Sequence, residues 1–158
     1  MKVGIISDTH GLLRPEVFDV FAEVDHILHA GDIGDLEILA ELEAVAPVTA
    51  VFGNTDPEDV RDRVPRVARV ELAGVAVVVV HGDEFGRPTS RDLAEGYPEP
   101  DLVVFGHTHQ PVIERVDSVL VVNPGSAGPR RFTLPVTVAV AEISNRTASV
   151  DIVSLLSR

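Results

Sequence analysis

Five short apolar runs in this chain each break off in a turn that carries a carboxylate, a carboxamide or an imidazole. Val3-Gly4-Ile5-Ile6 opens into Ser7-Asp8-Thr9-His10-Gly11, and His26-Ile27-Leu28-His29-Ala30 opens into Gly31-Asp32-Ile33-Gly34-Asp35. Val48-Thr49-Ala50-Val51-Phe52 meets Gly53-Asn54-Thr55-Asp56-Pro57, and Val75 to Val80 meets His81-Gly82-Asp83. Leu102-Val103-Val104-Phe105 meets Gly106-His107-Thr108-His109. Runs this short, rich in β-branched residues and bounded by turn formers, read as strands buried on both faces. A polar side chain just past such a strand stands at the sheet edge, where ligands of α/β proteins sit.

Helical spacing fills the gaps in the first half. Arg14-Pro15 marks a helix start, followed by Val17, Val20, Phe21 and Val24 on one face. Asp35 is placed to cap a second helix through Leu36, Leu39, Leu42 and Ala46, which Pro47 stops. Residues 61–69 alternate poorly and read as a connector, and a short helix is expected near Ser90 to Glu95. Elsewhere the second half reads as strands: Val67 to Leu72, a hairpin of Val112 to Val116 with Val119 to Val122, and a closing hairpin of Val136 to Ile143 with Ala148 to Val153. Strand–helix alternation followed by mostly strands predicts a layered α/β domain with two packed mixed sheets and helices outside. Repeats, low-complexity tracts and linkers are lacking, so residues 1–158 read as one domain.

Composition removes several function classes. The formal net charge is −12 and Lys2 is the sole lysine, so no basic footprint for duplex nucleic acid exists. The longest apolar run, Val75 to Val80, is too short for a membrane span, and no secretory leader is evident. Without cysteine there are no disulfides and no thiolate metal sites; a cytoplasmic location is expected.

What remains is a donor set of Asp8, His10, Asp32, Asn54, His81, His107 and His109. Each alone suits a polar turn, but together they gather four of the six histidines at strand ends. Oxygen and nitrogen donors without sulfur suit manganese, iron, zinc, cobalt or nickel. His26 reads as structural, and His29 as a support for Asp32.

In order along the chain, Asp8-x-His10, Gly31-Asp32, Gly53-Asn54, His81 and Gly106-His107-x-His109 resemble the calcineurin-like metallophosphoesterases. Asn123-Pro124-Gly125-Ser126 is similar to a turn of that family's small single-domain phosphodiesterases. The resemblance implies a four-layer α-β-β-α sandwich and a centre of two divalent ions, manganese first among the candidates. Asp8, His10 and His109 would hold one ion, Asn54, His81 and His107 the other, and Asp32 both. It further implies hydrolysis of a small phosphodiester by hydroxide bound between the ions, with Asp32, Asn54 and His81 nearest the chemistry. A homo-oligomer is compatible with this reading. The alternatives are a phosphomonoesterase and a non-catalytic scaffold resembling a vesicle-coat subunit of the same family.

The chain departs from the family pattern twice. Thr55 stands where many relatives carry a histidine proposed to protonate the leaving group, and Asp83 stands where many complete a His-Gly-His motif. Asp83 would add a carboxylate near the ions. Arg130 and Arg131 follow the 123–126 turn and are read either as a solvated loop pair or as a contact to substrate phosphate.

Overall fold

A computed structural model provides the structure of the protein and describes residues 1–156. The first sheet is built from β1 (Lys2–Ile6), β2 (His26–His29) and β3 (Val48–Ala50), which run parallel, with β9 (Thr137–Ser144) and β10 (Thr147–Ser154) antiparallel beyond β1. Its order is β10-β9-β1-β2-β3. The crossovers carry α1 (Glu16–Val20) and α2 (Leu36–Glu43), and the Asp35 carboxylate accepts the Glu37 N–H as expected of an N-cap. Gly4 sits in mid-strand because a Cβ there would lie 2.8 Å from the Phe21 ring, which α1 presses onto β1.

The second sheet has the order β4-β5-β6-β8-β7. Its strands are β4 (Val67–Leu72), β5 (Val75–Val80), β6 (Leu102–Val104), β7 (Val112–Val116) and β8 (Val119–Asn123), with β5, β6 and β8 mutually parallel. A helix here labelled α4 (Ser90–Gly96) covers its outer face, capped by Thr89 and Asp92 through reciprocal hydrogen bonds.

One departure from the expected elements lies at residues 58–63, which form the helix α3 (Glu58–Arg63) rather than a connector. The helix spans fewer than two turns and buries only Val60, so no apolar period exists to be read. Acidic residues in its first turn and arginines in its last suit the helix dipole, which is the one signal present.

The period-2 geometry of strands explains the valine runs. Val77 and Val79 face the other sheet beside Ile5, Leu28 and Ala139, whereas Val78 and Val80 face α4 with Leu93. On the far side, Ile6, Ile27 and Val138 pack against Phe21 of α1's C-terminus, Leu42 of α2 and Val60 of α3. The architecture is the α-β-β-α sandwich. The parallel strands of both sheets end at one edge, and there the loops of the two sheets meet.

Candidate metal centre

Asp8 and His10 leave β1, Asp32 leaves β2, Asn54 leaves β3, His81 leaves β5, and His107 with His109 leave β6. The two sheets are stitched together here. The His81 Nδ1–H donates to the Ala30 carbonyl at 2.8 Å, and the His107 N–H donates to Asp8 Oδ2 at 3.2 Å. The Ser126 hydroxyl donates to the Asp8 carbonyl at 3.1 Å.

Six of the seven expected donors fall into two groups, Asp8 with His10 and His109, and Asp32 with His81 and His107. In each group the donor atoms lie within 4.8 Å of one another. Asp8 Oδ1 stands 3.4 Å from His109 Nε2, 3.7 Å from His10 Nε2 and 4.0 Å from His81 Nε2. Asp32 Oδ2 lies between the groups, 3.1 Å from His81 Nε2 and 3.8 Å from His10 Nε2. Asn54, the seventh, is exposed at the turn after β3, where its carbonyl accepts from Arg61.

The backbone aims these groups from an unusual conformation. Asp8, His10, Asp32, His107 and His109 all have φ between 45° and 71°. Non-glycine residues there are strained, and such strain concentrates at functional sites. Neighbouring glycines keep the room clear: a Cβ on Gly53 would collide with Asp32 Oδ1, and one on Gly106 would lie 2.7 Å from Asp8 Oδ2.

The electrostatics match a cation site. Burial alone would raise the Asp8 carboxyl, yet the closeness of the His10, His109 and His81 rings holds it well below the usual carboxylate range. Burial likewise pushes His81 down, but Asp32 and Asp8 beside it carry the imidazolium up to about 9. Asp8 Oδ1 and His81 Nε2 are buried without a hydrogen-bond partner. An unpartnered carboxylate oxygen ringed by imidazole nitrogens is costly unless a cation takes the space between them. The donor set therefore fits divalent ions.

Several residues that the sequence places only in turns turn out to support the donors. Asp56 is buried and accepts from the Gly34 N–H and the Gly53 N–H, both at 2.8 Å, tying the Asp32 turn to the Asn54 turn. Asn123 donates to the Gly106 carbonyl and to Thr108 Oγ1 at 3.0 Å, which fixes the loop bearing His107 and His109. Ser7 donates to Asp8 Oδ2 at 2.6 Å. No spacing in the chain distinguishes these from ordinary polar residues.

The structure gives three further side chains their partners. His29 does not touch Asp32 itself: its Nδ1 accepts the Gly31 N–H of the same turn and its Nε2 meets Thr9 Oγ1, because β2 points it into the core under the β1 loop. Asp83 opens a 3-10 turn (Asp83–Phe85), and its carboxylate lies 3.3 Å from Arg66, which gives it a partner other than the donor groups. Arg130 donates to the Leu134 carbonyl of its own loop. His26 is structural, meeting Thr49 Oγ1 across β2 and β3 at 2.8 Å.

The calcineurin-like phosphoesterase superfamily domain matches residues 1–146. This chain belongs to that superfamily. A probable metallophosphoesterase of Methanothermobacter thermautotrophicus is 38% identical over 160 residues, covering 97% of this chain and 92% of the relative. A phosphodiesterase of Methanocaldococcus jannaschii is 32% identical, covering 79% of this chain and 83% of the relative. Among solved structures, an archaeal phosphodiesterase superposes with a TM-score of 0.76 at 28% identity, over 97% of this chain and all of that one. Vps29 of Entamoeba histolytica superposes with a TM-score of 0.78 at 21% identity, over 98% of this chain and 99% of that one, and shares the fold. Membership of the phosphoesterase superfamily supports a hydrolase. Among the described residues no helix is long and apolar enough to cross a membrane.

Proposed function

We propose that this phosphoesterase cleaves a phosphodiester with two divalent ions, manganese by preference, held by the two donor groups. The observation that carries the reading is the buried, unpartnered Asp8 Oδ1 facing three imidazole nitrogens, with Asp32 Oδ2 standing between the groups. When bound, such an ion pair polarises the phosphoryl group and supplies a nucleophile at neutral pH.

The chain's own part is positioning. Asp8, His10 and His109 would hold one ion, His81, His107 and Asn54 the other, and Asp32 would serve both. The Ala30 carbonyl fixes the His81 proton on Nδ1, leaving Nε2 as the donor. Likeness to the phosphodiesterases supports a diester over a monoester.

Metal content and hydrolysis of bis(p-nitrophenyl) phosphate test this together. Loaded wild type should hold about two ions per chain. Asp32→Ala should lose both and cost more activity than the roughly 10–100-fold typical of outer-shell changes. Full occupancy in that variant would remove the shared-ligand assignment. Faster turnover of p-nitrophenyl phosphate would make the protein a monoesterase, and a metal-loaded protein that hydrolyses neither ester would be a scaffold.

A further inference from the structure

On the His107 side of the donor groups the loops enclose a cavity of about 460 Å³, within the size range of small-molecule sites. Arg87, Pro88, Thr89, His107, Thr108 and Gln110 line it. The chain carries 25 acidic residues against 13 lysines and arginines, yet no carboxylate lines this cavity. Seven of the twelve arginines are engaged: Arg63, Arg66, Arg69 and Arg91 pair with carboxylates, and Arg14, Arg61 and Arg130 bind carbonyls. Arg87 has no ion pair or hydrogen bond among the described residues.

The other polar groups at the wall are also left as donors. Thr108 Oγ1 accepts the Gln110 N–H and an Asn123 amide proton, and Thr89 Oγ1 accepts the Asp92 N–H. Both hydroxyl protons therefore remain to be given, and the Gln110 amide adds two more. A cavity furnished with donors and a free guanidinium, in a protein of net charge −12, selects an anion.

We infer that the cavity beside His107 is a specificity subsite in which Arg87 holds a second phosphate, carried on one ester substituent of the diester. This rests on the phosphodiesterase reading above. The substrate class is then a phosphodiester with an additional phosphomonoester, and esters without one lack the grip of Arg87.

Two chromogenic esters test it: the p-nitrophenyl ester of thymidine 5′-phosphate, and the same ester bearing a 3′-phosphate. On manganese-loaded wild type the 3′-phosphorylated ester should have a KM about tenfold lower, the size of one hydrogen-bonded charge pair. In Arg87→Gln the ratio of the two KM values should fall to within about twofold of unity, and Arg87→Lys should keep part of it. Equal KM values in wild type, or a ratio that survives Arg87→Gln, overturns the proposal. Calorimetry with thymidine 3′,5′-bisphosphate against thymidine 5′-phosphate separates the two readings. An Arg87-dependent preference in binding without turnover of any ester keeps the subsite and removes the phosphodiesterase. Turnover without any Arg87-dependent preference does the reverse.

Discussion

His29 shows how a buried residue outside the donor groups supports them. Its Nδ1 accepts from Gly31 and its Nε2–H donates to Thr9 Oγ1, whose hydroxyl proton goes on to the Ile33 carbonyl. That chain of bonds needs the neutral ring, and burial pushes His29 down to about 4. The unfolded chain binds a proton below about pH 6.5 that the folded protein takes only near pH 4. The stability is therefore fully present above the higher value and declines as the pH falls to the lower one, by roughly 3 kcal/mol. Urea unfolding in chelator between pH 4 and 7 should show this slope in wild type and a shallower one in His29→Gln; parallel profiles would exclude it. Thr55 carries a second residue-scale consequence. Its N–H donates to Asp32 Oδ1 at 3.0 Å, and its side chain has no proton of near-neutral pKa to give a departing oxygen. General acids contribute about 10²–10⁴-fold, so alkyl diesters should lag aryl diesters steeply. With Asp83 beside Arg66, the steep dependence should persist in Asp83→Asn and flatten in Thr55→His. A flat wild-type series would mean that another group serves as the acid.

Among the elements, the strands were readable and the ties between their ends were not. Short β-branched runs bounded by turns announce buried strands, and five of them carry the donors. The helix α3 announces itself only by the charges at its ends, since one buried residue defines no period. The same limit hides Asp56, which resembles any acidic turn residue until Gly34 and Gly53 are seen converging on it. Asp56→Ala leaves the buried Gly53 N–H unmet, at about 1–3 kcal/mol, and turns the Gly34 N–H, on an exposed residue, over to water. The variant should lose roughly 1–3 kcal/mol in urea unfolding with chelator present and bind manganese more weakly, because both turns are freed. Unchanged stability would show that water replaces the carboxylate without loss. Left-handed backbone at His107 and His109 was equally hidden, since nothing in the residue type requires it.

At the scale of the whole molecule, the two sheets share one core, and polar contacts join them where their loops converge on the donors. The donor list was legible because strand alternation puts its members at one edge; the four-layer arrangement came from family resemblance, and strand order could not be had from periodicity. Ions taken up at that edge would clamp one sheet to the other. At free manganese 100 times the dissociation constant, each site adds about 2.7 kcal/mol, or roughly 5–10 °C in midpoint for a chain of this size. Calorimetric scans with manganese and with chelator should differ by at least that amount in wild type and scarcely in Asp32→Ala. Equal midpoints in wild type would show that the ions do not bridge the sheets.

The left-handed conformation of five donor residues also bears on how such a chain drifts under selection. At His10, His107 and His109 it costs about 1–2 kcal/mol that glycine or asparagine would relieve. A lineage that no longer needed metal would gain fold stability from nearly any such replacement at His107 or His109. Those histidines would then be the first positions to decay once metal binding is no longer selected.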